Sequence, residues 1–207
     1  MINYHLAVMN HRPKVAILVS AYEHCLADLL YRQSTGELSC DFVMIISNHP
    51  VARRLAEFYR ITFHLLTKPQ DKSESEREML ELLGQDVDLN VLARYMQILS
   101  AEFVAQYLLR MINIHHSFLP AFVGAKPYRQ AFERGVKLIG ATSHYVTARL
   151  DQGPIIEQDV VRVSHRDTVE EMIRKGRDLE KVVLLRAVRW HLENRILVYQ
   201  NKTVVFV

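Results

Sequence analysis

The pattern of apolar and polar residues divides the chain into two kinds of segment. Short apolar runs rich in β-branched residues predict buried strands, and they cover residues 14–20, 41–47, 62–66, 87–93 and 111–115. The stretches between them carry an apolar stripe at helical spacing, and they predict helices over residues 24–33, 50–59, 68–85 and 100–109. Strand and helix alternate in units of about 30 residues, which predicts an α/β fold with a doubly wound, mostly parallel sheet. The order of the strands does not follow from the spacing.

The pattern of elements changes in the second half of the chain. A short helix over 127–135 is followed by strands over 137–146 and 154–163, which we expect to pair antiparallel through the turn at 151–154. Asp167 with Glu170 three residues later predicts the start of a long helix that runs to Asn194, and residues 196–199 and 203–207 predict a terminal hairpin. Gly176 inside that helix costs about 1 kcal/mol relative to alanine, which indicates close packing, a bend or a break.

Polar side chains stand at the ends of two of the predicted strands. In the strand over 111–115, Asn113 and His115 emerge on the same face because side chains alternate, and the next strand and its turn carry His144 and Asp151. The carboxyl end of a strand is where open α/β sheets bind their ligands. A single asparagine or histidine on a strand is usually structural, so the interest lies in the two segments together.

Composition narrows the class of protein. The chain has 207 residues, 49% hydrophobic and 24% charged, and a net charge of +3, which suits one globular domain over 14–207 with a segment over 1–13 appended. This charge is too small to indicate a nucleic-acid partner. No apolar run approaches the roughly 20 residues that span a bilayer, and no secretory pattern opens the chain, so we expect a cytoplasmic protein without a membrane partner. Cys25 and Cys40 are expected to be reduced, buried thiols.

Several motifs in order resemble the formyltetrahydrofolate deformylase family, which acts on 10-formyltetrahydrofolate. The clearest is the run over 114–122 (IHHSFLPAF) with residues 124–128 (GAKPY) after it. Further matches cover residues 19–20, 24–30, 46–49, 92–99 and 176–178 with Glu180. The resemblance extends from Lys14 to the C-terminus and implies a formyltransferase-like catalytic domain of Rossmann-type topology. Members of the family carry an upstream regulatory domain of the ACT type, and the segment before Pro13 is too short to be one.

The resemblance implies hydrolysis of the formyl group and a set of catalytic residues. Asn113 and a protonated His115 would donate hydrogen bonds to the oxyanion, and His115 would also protonate the departing nitrogen. Asp151 would hold the attacking water and stabilise the imidazolium. His144 either lies near the formyl group, as in the family, or is a structural histidine whose ring nitrogens make their hydrogen bonds within the fold. His116 is interpreted as a packing or loop residue, and Ser117 as a residue that hydrogen-bonds to backbone groups of the following loop. No metal and no tightly bound cofactor is expected.

The resemblance also implies where the folate lies. The pterin is expected against the segment formed by Met96, Gln97, Ile98 and Leu99, and against the loop over 148–152, which includes Arg149 and Leu150. The alternative for Ile98 and Leu99 is that they are simply core residues. The expected partner is therefore the folate substrate alone, and the protein is expected to be a homo-oligomer of undefined size.

Two other functions stay open. A glycinamide ribonucleotide formyltransferase needs a glycine-rich phosphate site after the first strand, whereas residues 20–25 contain no glycine and include Tyr22 and Glu23. We interpret this turn as a blocked acceptor site. A folate-binding protein without catalysis is the second alternative. Dinucleotide binding is disfavoured because the glycine motif GxGxxG does not follow the first strand.

Overall fold

The computed structural model describes residues 12–68, 70–84, 86–121 and 127–207. Its helices are α1 (His24–Ser34), α2 (Arg53–Tyr59), α3 (Lys72–Leu83), α4 (Ala101–Ala105), α5 (Pro127–Arg134) and α6 (Val169–Leu192), with a 3-10 turn at Pro50–Ala52. Its strands are β1 (Lys14–Val19), β2 (Asp41–Ser47), β3 (Thr62–Leu65), β4 (Leu89–Leu92), β5 (Met111–His115), β6 (Leu138–Tyr145), β7 (Ile155–Arg162), β8 (Ile196–Tyr199) and β9 (Lys202–Val205). The predicted segment over 1–13 lies almost wholly outside the described residues.

Seven strands form the central sheet in the order β3-β2-β1-β4-β5-β6-β7. The pairs from β3 to β5 are parallel, while β6 pairs antiparallel with β5, and β7 pairs antiparallel with β6. The doubly wound, mostly parallel sheet is therefore confirmed, as is the antiparallel pairing of its last two strands. Strands β8 and β9 form the separate terminal hairpin.

The sheet is covered on both faces, which explains the continuous apolar run in β1. Val15, Ile17 and Val19 pack into a core shared with α1 and α6, whereas Ala16 and Leu18 pack into a second core shared with α3 and α4. All five of these side chains are fully buried. Strands with two buried faces lose the polar alternation of a half-exposed sheet.

The predicted helix boundaries were wrong in several places. The long helix is capped by Thr168 with Glu171, one residue after the predicted pair, while Asp167 accepts the backbone N–H of Ser164 instead. Helix α4 is shorter than predicted because the N–H groups of Gln106 and Tyr107 donate to the carbonyls of Phe103 and Val104, three residues earlier and not four. Helix α3 begins only at Lys72, where Asp71 is the cap, and α6 ends at Leu192.

Close packing explains Gly176. Helix α6 runs through this position without a break, and a Cβ atom there would lie 2.0 Å from the hydroxyl of Tyr128. The tyrosine hydroxyl donates to the buried carboxylate of Glu180 over 2.6 Å.

Cys25 and Cys40 are free and buried, as predicted. In the described ranges, no helix is long and apolar enough to cross a bilayer.

Candidate active site

Two antiparallel strands bring the predicted polar residues to one end of the sheet. β5 carries Asn113 and His115, and β6 carries His144 directly opposite Asn113 in the strand register. The chain then leaves β6 and forms a loop over residues 147–154, the Asp151 loop, which returns toward these strand ends. Asn113 and His144, which are 31 positions apart in the sequence, are thus brought together by the pairing of β5 with β6.

The four predicted catalytic side chains lie in contact. His115 Nδ1 is 3.3 Å from Asp151 Oδ2, and His144 Nε2 is 3.6 Å from Asp151 Oδ1. The amide nitrogen of Asn113 is 3.3 Å from His144 Nε2. The carboxylate therefore lies between two imidazoles, and one of these imidazoles contacts the carboxamide.

The hydrogen bonds of His144 define its tautomer. Its Nδ1 is 2.9 Å from the carbonyl oxygen of Tyr145, which can only accept, so the proton is on Nδ1. When the ring is neutral, Nε2 accepts a hydrogen bond from the Asn113 amide, and when the ring is protonated, Nε2–H faces Asp151 Oδ1 at 3.6 Å. This bond holds the carboxamide in one orientation and leaves its second N–H free for another acceptor. His144 thus has a structural partner on one side and a place in the polar cluster on the other.

Asp151 is ionised although it is largely buried. Its side chain is 11% exposed, and burial raises the pKa of the carboxyl. The hydrogen bonds and charges of His115 and His144 outweigh burial and hold this pKa well below its usual range. The backbone of Asp151 has a φ of 54°, in the left-handed region that few non-glycine residues adopt.

A cavity of about 320 Å³ opens beside these side chains. Its walls include five of the six residues predicted to bind folate, namely Met96, Gln97, Ile98, Leu99 and Leu150, together with all four predicted catalytic residues. Ile98 is 61% exposed, so it is not a core residue. Arg149 does not line this cavity, and its backbone carbonyl accepts the hydroxyl of Thr147 within the loop.

The cavity is also lined by residues without a predicted site role, among them His116 and Arg94. Because β5 ends at His115, His116 no longer follows the strand alternation, and its ring packs between those of His115 and Tyr128 at 5.2 and 6.0 Å. Burial and the nearby charge of Arg94 lower the pKa of His116 to about 4, so it is neutral near pH 7. Arg94 itself is buried, with a φ of 65°.

Arg94 belongs to a buried polar network behind the cavity, centred on Glu180. Glu180 is 1% exposed. Its carboxylate lies 2.8 Å from His24 Nε2 and accepts a hydrogen bond from the Tyr128 hydroxyl over 2.6 Å. It also lies 3.6 Å from Arg94 Nε. Burial raises the pKa of Glu180, but these partners outweigh it and lower the pKa. No sequence pattern links these four positions, because they lie on separate elements.

The same region holds the one group of three metal-ligand side chains among the described residues, formed by His24, Cys25 and Glu180. The Arg94 guanidinium lies 3.6 Å from the Glu180 carboxylate and offsets its negative charge, which disfavours a second cation there. We assign no metal to this group.

Ser117 has the role predicted for it, since its hydroxyl donates to the carbonyl of Ala121 across the loop. Residues 122–126, which belong to the motif quoted for the family, lie outside the described residues.

Comparison with known proteins gives consistent results. The model of the formyl transferase family matches residues 13–188. Formyltetrahydrofolate deformylase of Synechocystis sp. is 59% identical over 196 residues, which cover 94% of this chain and 69% of that protein. The same-named protein of Bacillus subtilis is 55% identical, with coverage of 97% and 68%.

Solved structures give the same picture. A formyltetrahydrofolate deformylase from Pseudomonas syringae pv. tomato has a TM-score of 0.93 and 55% identity, covering 96% of this chain and 67% of its own. Glycinamide ribonucleotide transformylase 1 from Symbiobacterium toebii has a TM-score of 0.90 at 29% identity, with 99% of both chains covered. The chain therefore spans about two thirds of the deformylases it resembles.

Proposed function

Since the chain belongs to the formyltetrahydrofolate deformylases of the formyl transferase family, we propose that the cluster around Asp151 performs their reaction. The enzyme hydrolyses 10-formyltetrahydrofolate to formate and tetrahydrofolate, and it needs no tightly bound cofactor. The observation that carries the assignment of residues is the ionised carboxylate of Asp151 between two imidazoles in the wall of an apolar cavity.

The reaction begins with water adding to the formyl carbon, which turns the carbonyl oxygen into an oxyanion. Asn113 donates to this oxygen through the N–H that His144 does not use. His115 donates through Nε2, which is buried and has no hydrogen-bond partner in the described part of the chain. Two fixed donors aimed at the developing oxyanion stabilise the tetrahedral intermediate more than they stabilise the planar substrate.

Proton transfer completes the hydrolysis. Asp151 orients the attacking water and accepts its proton as the carbon–oxygen bond forms. Protonated His115 gives the proton on Nε2 to the folate nitrogen as the carbon–nitrogen bond breaks, while its Nδ1–H stays beside Asp151 at 3.3 Å. After the products leave, Asp151 releases to solvent the proton it took from the water, and Nε2 takes one up from solvent. Formic acid leaves as formate and a proton, so one water is consumed for each formyl group.

The folate lies along the apolar wall of the cavity. Ile98 and Met96 are 61% and 52% exposed at its rim, and Leu150 is 57% exposed on the opposite loop. Exposed apolar side chains that face each other across a cleft suit a flat heterocycle. The carboxamide of Gln97 and backbone groups of the same segment supply polar contacts to the edge of the pterin.

Water, and not an amine, is the acceptor. A transformylase acts on a ribonucleotide, but in this chain the turn after β1 has no glycine and carries Tyr22, which is 43% exposed. The guanidinium carbons of Arg94 and Arg177 lie 5.4 and 5.1 Å from the centre of the Tyr22 ring. This stacked arrangement, with Glu23 beside it and no glycine, leaves the turn unsuited to a phosphate group.

The test is a formate assay on the purified chain with 10-formyltetrahydrofolate, run alone and with glycinamide ribonucleotide. We expect equal rates of formate release in both reactions. Release of tetrahydrofolate without formate, and only when the ribonucleotide is present, would overturn the proposal in favour of a transferase, because the formyl group would then have passed to the amine. Folate binding without turnover would instead indicate a binding protein. A cytoplasmic location and a homo-oligomeric state stay predictions.

A further inference from the structure

The Asp151 loop has little internal structure to fix its carboxylate. Asp151 adopts φ 54°, and within the loop the N–H of Gln152 donates to the carbonyl of Arg149 over 3.2 Å. A left-handed non-glycine residue persists only where surrounding contacts hold it. The position of the Asp151 carboxylate therefore depends on its contacts with His115 and His144 and on the contacts that hold the loop backbone.

The inner side of the loop is fixed against β6. The backbone of Gly153 passes so close to this strand that a Cβ atom would lie 1.7 Å from the carbonyl oxygen of Tyr145. The N–H of Tyr145 also donates to the carbonyl of Pro154 over 3.0 Å. Glycine is required here because the strand and the loop are in backbone contact.

The outer side of the loop is held by the terminal hairpin. The side-chain amide of Asn201 donates to the carbonyl of Gln152 over 3.0 Å, and the hydroxyl of Thr203 donates to the carbonyl of Ile155 over 2.6 Å. Gln152 directly follows Asp151, and Ile155 follows the Gly153–Pro154 turn. The hairpin thus contacts the loop on both sides of this turn.

A cavity lies between the hairpin and the loop. This cavity of about 530 Å³ is lined by Asp151, Gln152 and Gly153 on one side and by Asn201, Lys202 and Thr203 on the other. Side-chain packing therefore does not fill the space between them. The two hydrogen bonds are the specific connection from the last strands of the fold to the catalytic carboxylate.

We infer that Asn201 and Thr203 are positioning residues for Asp151. The inference rests on the proposed function, because it assumes that Asp151 acts on the attacking water. Neither side chain lines the folate cavity, so neither contributes to folate affinity. Catalysis depends steeply on geometry, and a shift of about 1 Å in a reacting group reduces a rate by about 10²-fold.

The experiment compares variants of the two donors. Thr203→Val keeps the side-chain shape and removes the hydroxyl, whereas Thr203→Ser keeps the hydroxyl. Asn201→Ala removes the other donor. For each single loss we expect kcat to fall about five- to tenfold, which corresponds to about 1.0–1.4 kcal/mol, with KM within about twofold of wild type. Thr203→Ser should remain within about twofold in both parameters.

Val204→Ala is the matched control, because Val204 is on the same strand and pairs with Leu197 within the hairpin. It should leave kcat unchanged. A loss confined to KM in Thr203→Val and Asn201→Ala, equal losses in Thr203→Ser, or kcat within twofold in both donor variants would overturn the inference. Absence of formate release by the wild-type chain would instead contradict the proposed function, so the two failures are distinguishable.

Discussion

Replacing Asp151 by asparagine keeps the shape of the side chain and removes the negative charge between His115 and His144. In the transition state His115 carries a positive charge, and the nearest carboxylate oxygen is 3.3 Å from its Nδ1. At an effective dielectric constant of 20, two unit charges about 4 Å apart interact with about 4 kcal/mol. A loss of about 3–4 kcal/mol from the transition state lowers kcat by about 10²–10³-fold.

The assay measures formate release and folate affinity on the same samples. We expect KM to change less than about threefold, because the folate contacts the apolar wall and not the carboxylate. Asp178→Asn is the matched control, since that carboxylate is 69% exposed and pairs with Lys181. Turnover of the Asp151 variant within about fivefold of wild type would refute the reasoning, as would an equal loss in the control.

The same variant has a predicted effect on stability in acid. The pKa of Asp151 is lower in the folded chain than the usual aspartate value of about 3.9, so its carboxylate stabilises the fold above that value. This contribution disappears as the pH falls through the folded pKa. Urea unfolding of wild type and Asp151→Asn should therefore show a difference in the free energy of unfolding at pH 5 that narrows below about pH 4; a difference that widens below pH 4 would contradict the sign.

Other changes test separate parts of the structure. Asn113→Ala removes one oxyanion donor, and kcat measured by formate release should fall about 10²–10³-fold. Gly176→Ala places a methyl group 2.0 Å from the hydroxyl of Tyr128; the gain in helix propensity of about 1 kcal/mol does not offset overpacking of about 1–3 kcal/mol, so the free energy of unfolding in urea should fall. Burial raises the pKa of Cys40 to about 12 and also that of Cys25, so a disulfide reagent at pH 8 should modify both thiols only as fast as the chain unfolds.

Local patterns in the sequence predicted most of the elements. Strands β1 and β5 were clear because continuous apolar runs with β-branched residues fit a sheet covered on both faces. Asn113 and His115 could be placed on one face because side chains alternate along a strand. Asp167 was less clear, since both Asp167 and Thr168 have a glutamate three residues later, and the backbone geometry that selects Thr168 is not visible in the sequence.

Contacts between distant elements could not be predicted in this way. Glu180 lies in a helix whose pattern gives no sign that His24 and Tyr128 bind its carboxylate. The hairpin contact from Asn201 to Gln152 joins residues 49 positions apart through a backbone carbonyl, and any residue supplies such an acceptor. The order of the strands in the sheet determines which elements contact one another, and it does not follow from the spacing of the strands along the sequence.

Isotope labelling tests the central claim most directly. The purified chain is incubated with 10-formyltetrahydrofolate in water enriched in ¹⁸O, with no other acceptor, and the formate is analysed by mass spectrometry. If water attacks the formyl carbon beside Asn113, His115 and Asp151, each formate carries one ¹⁸O atom, and tetrahydrofolate forms in equal amount. Unlabelled formate, or tetrahydrofolate that forms without formate and only when an amine acceptor is added, would contradict the account.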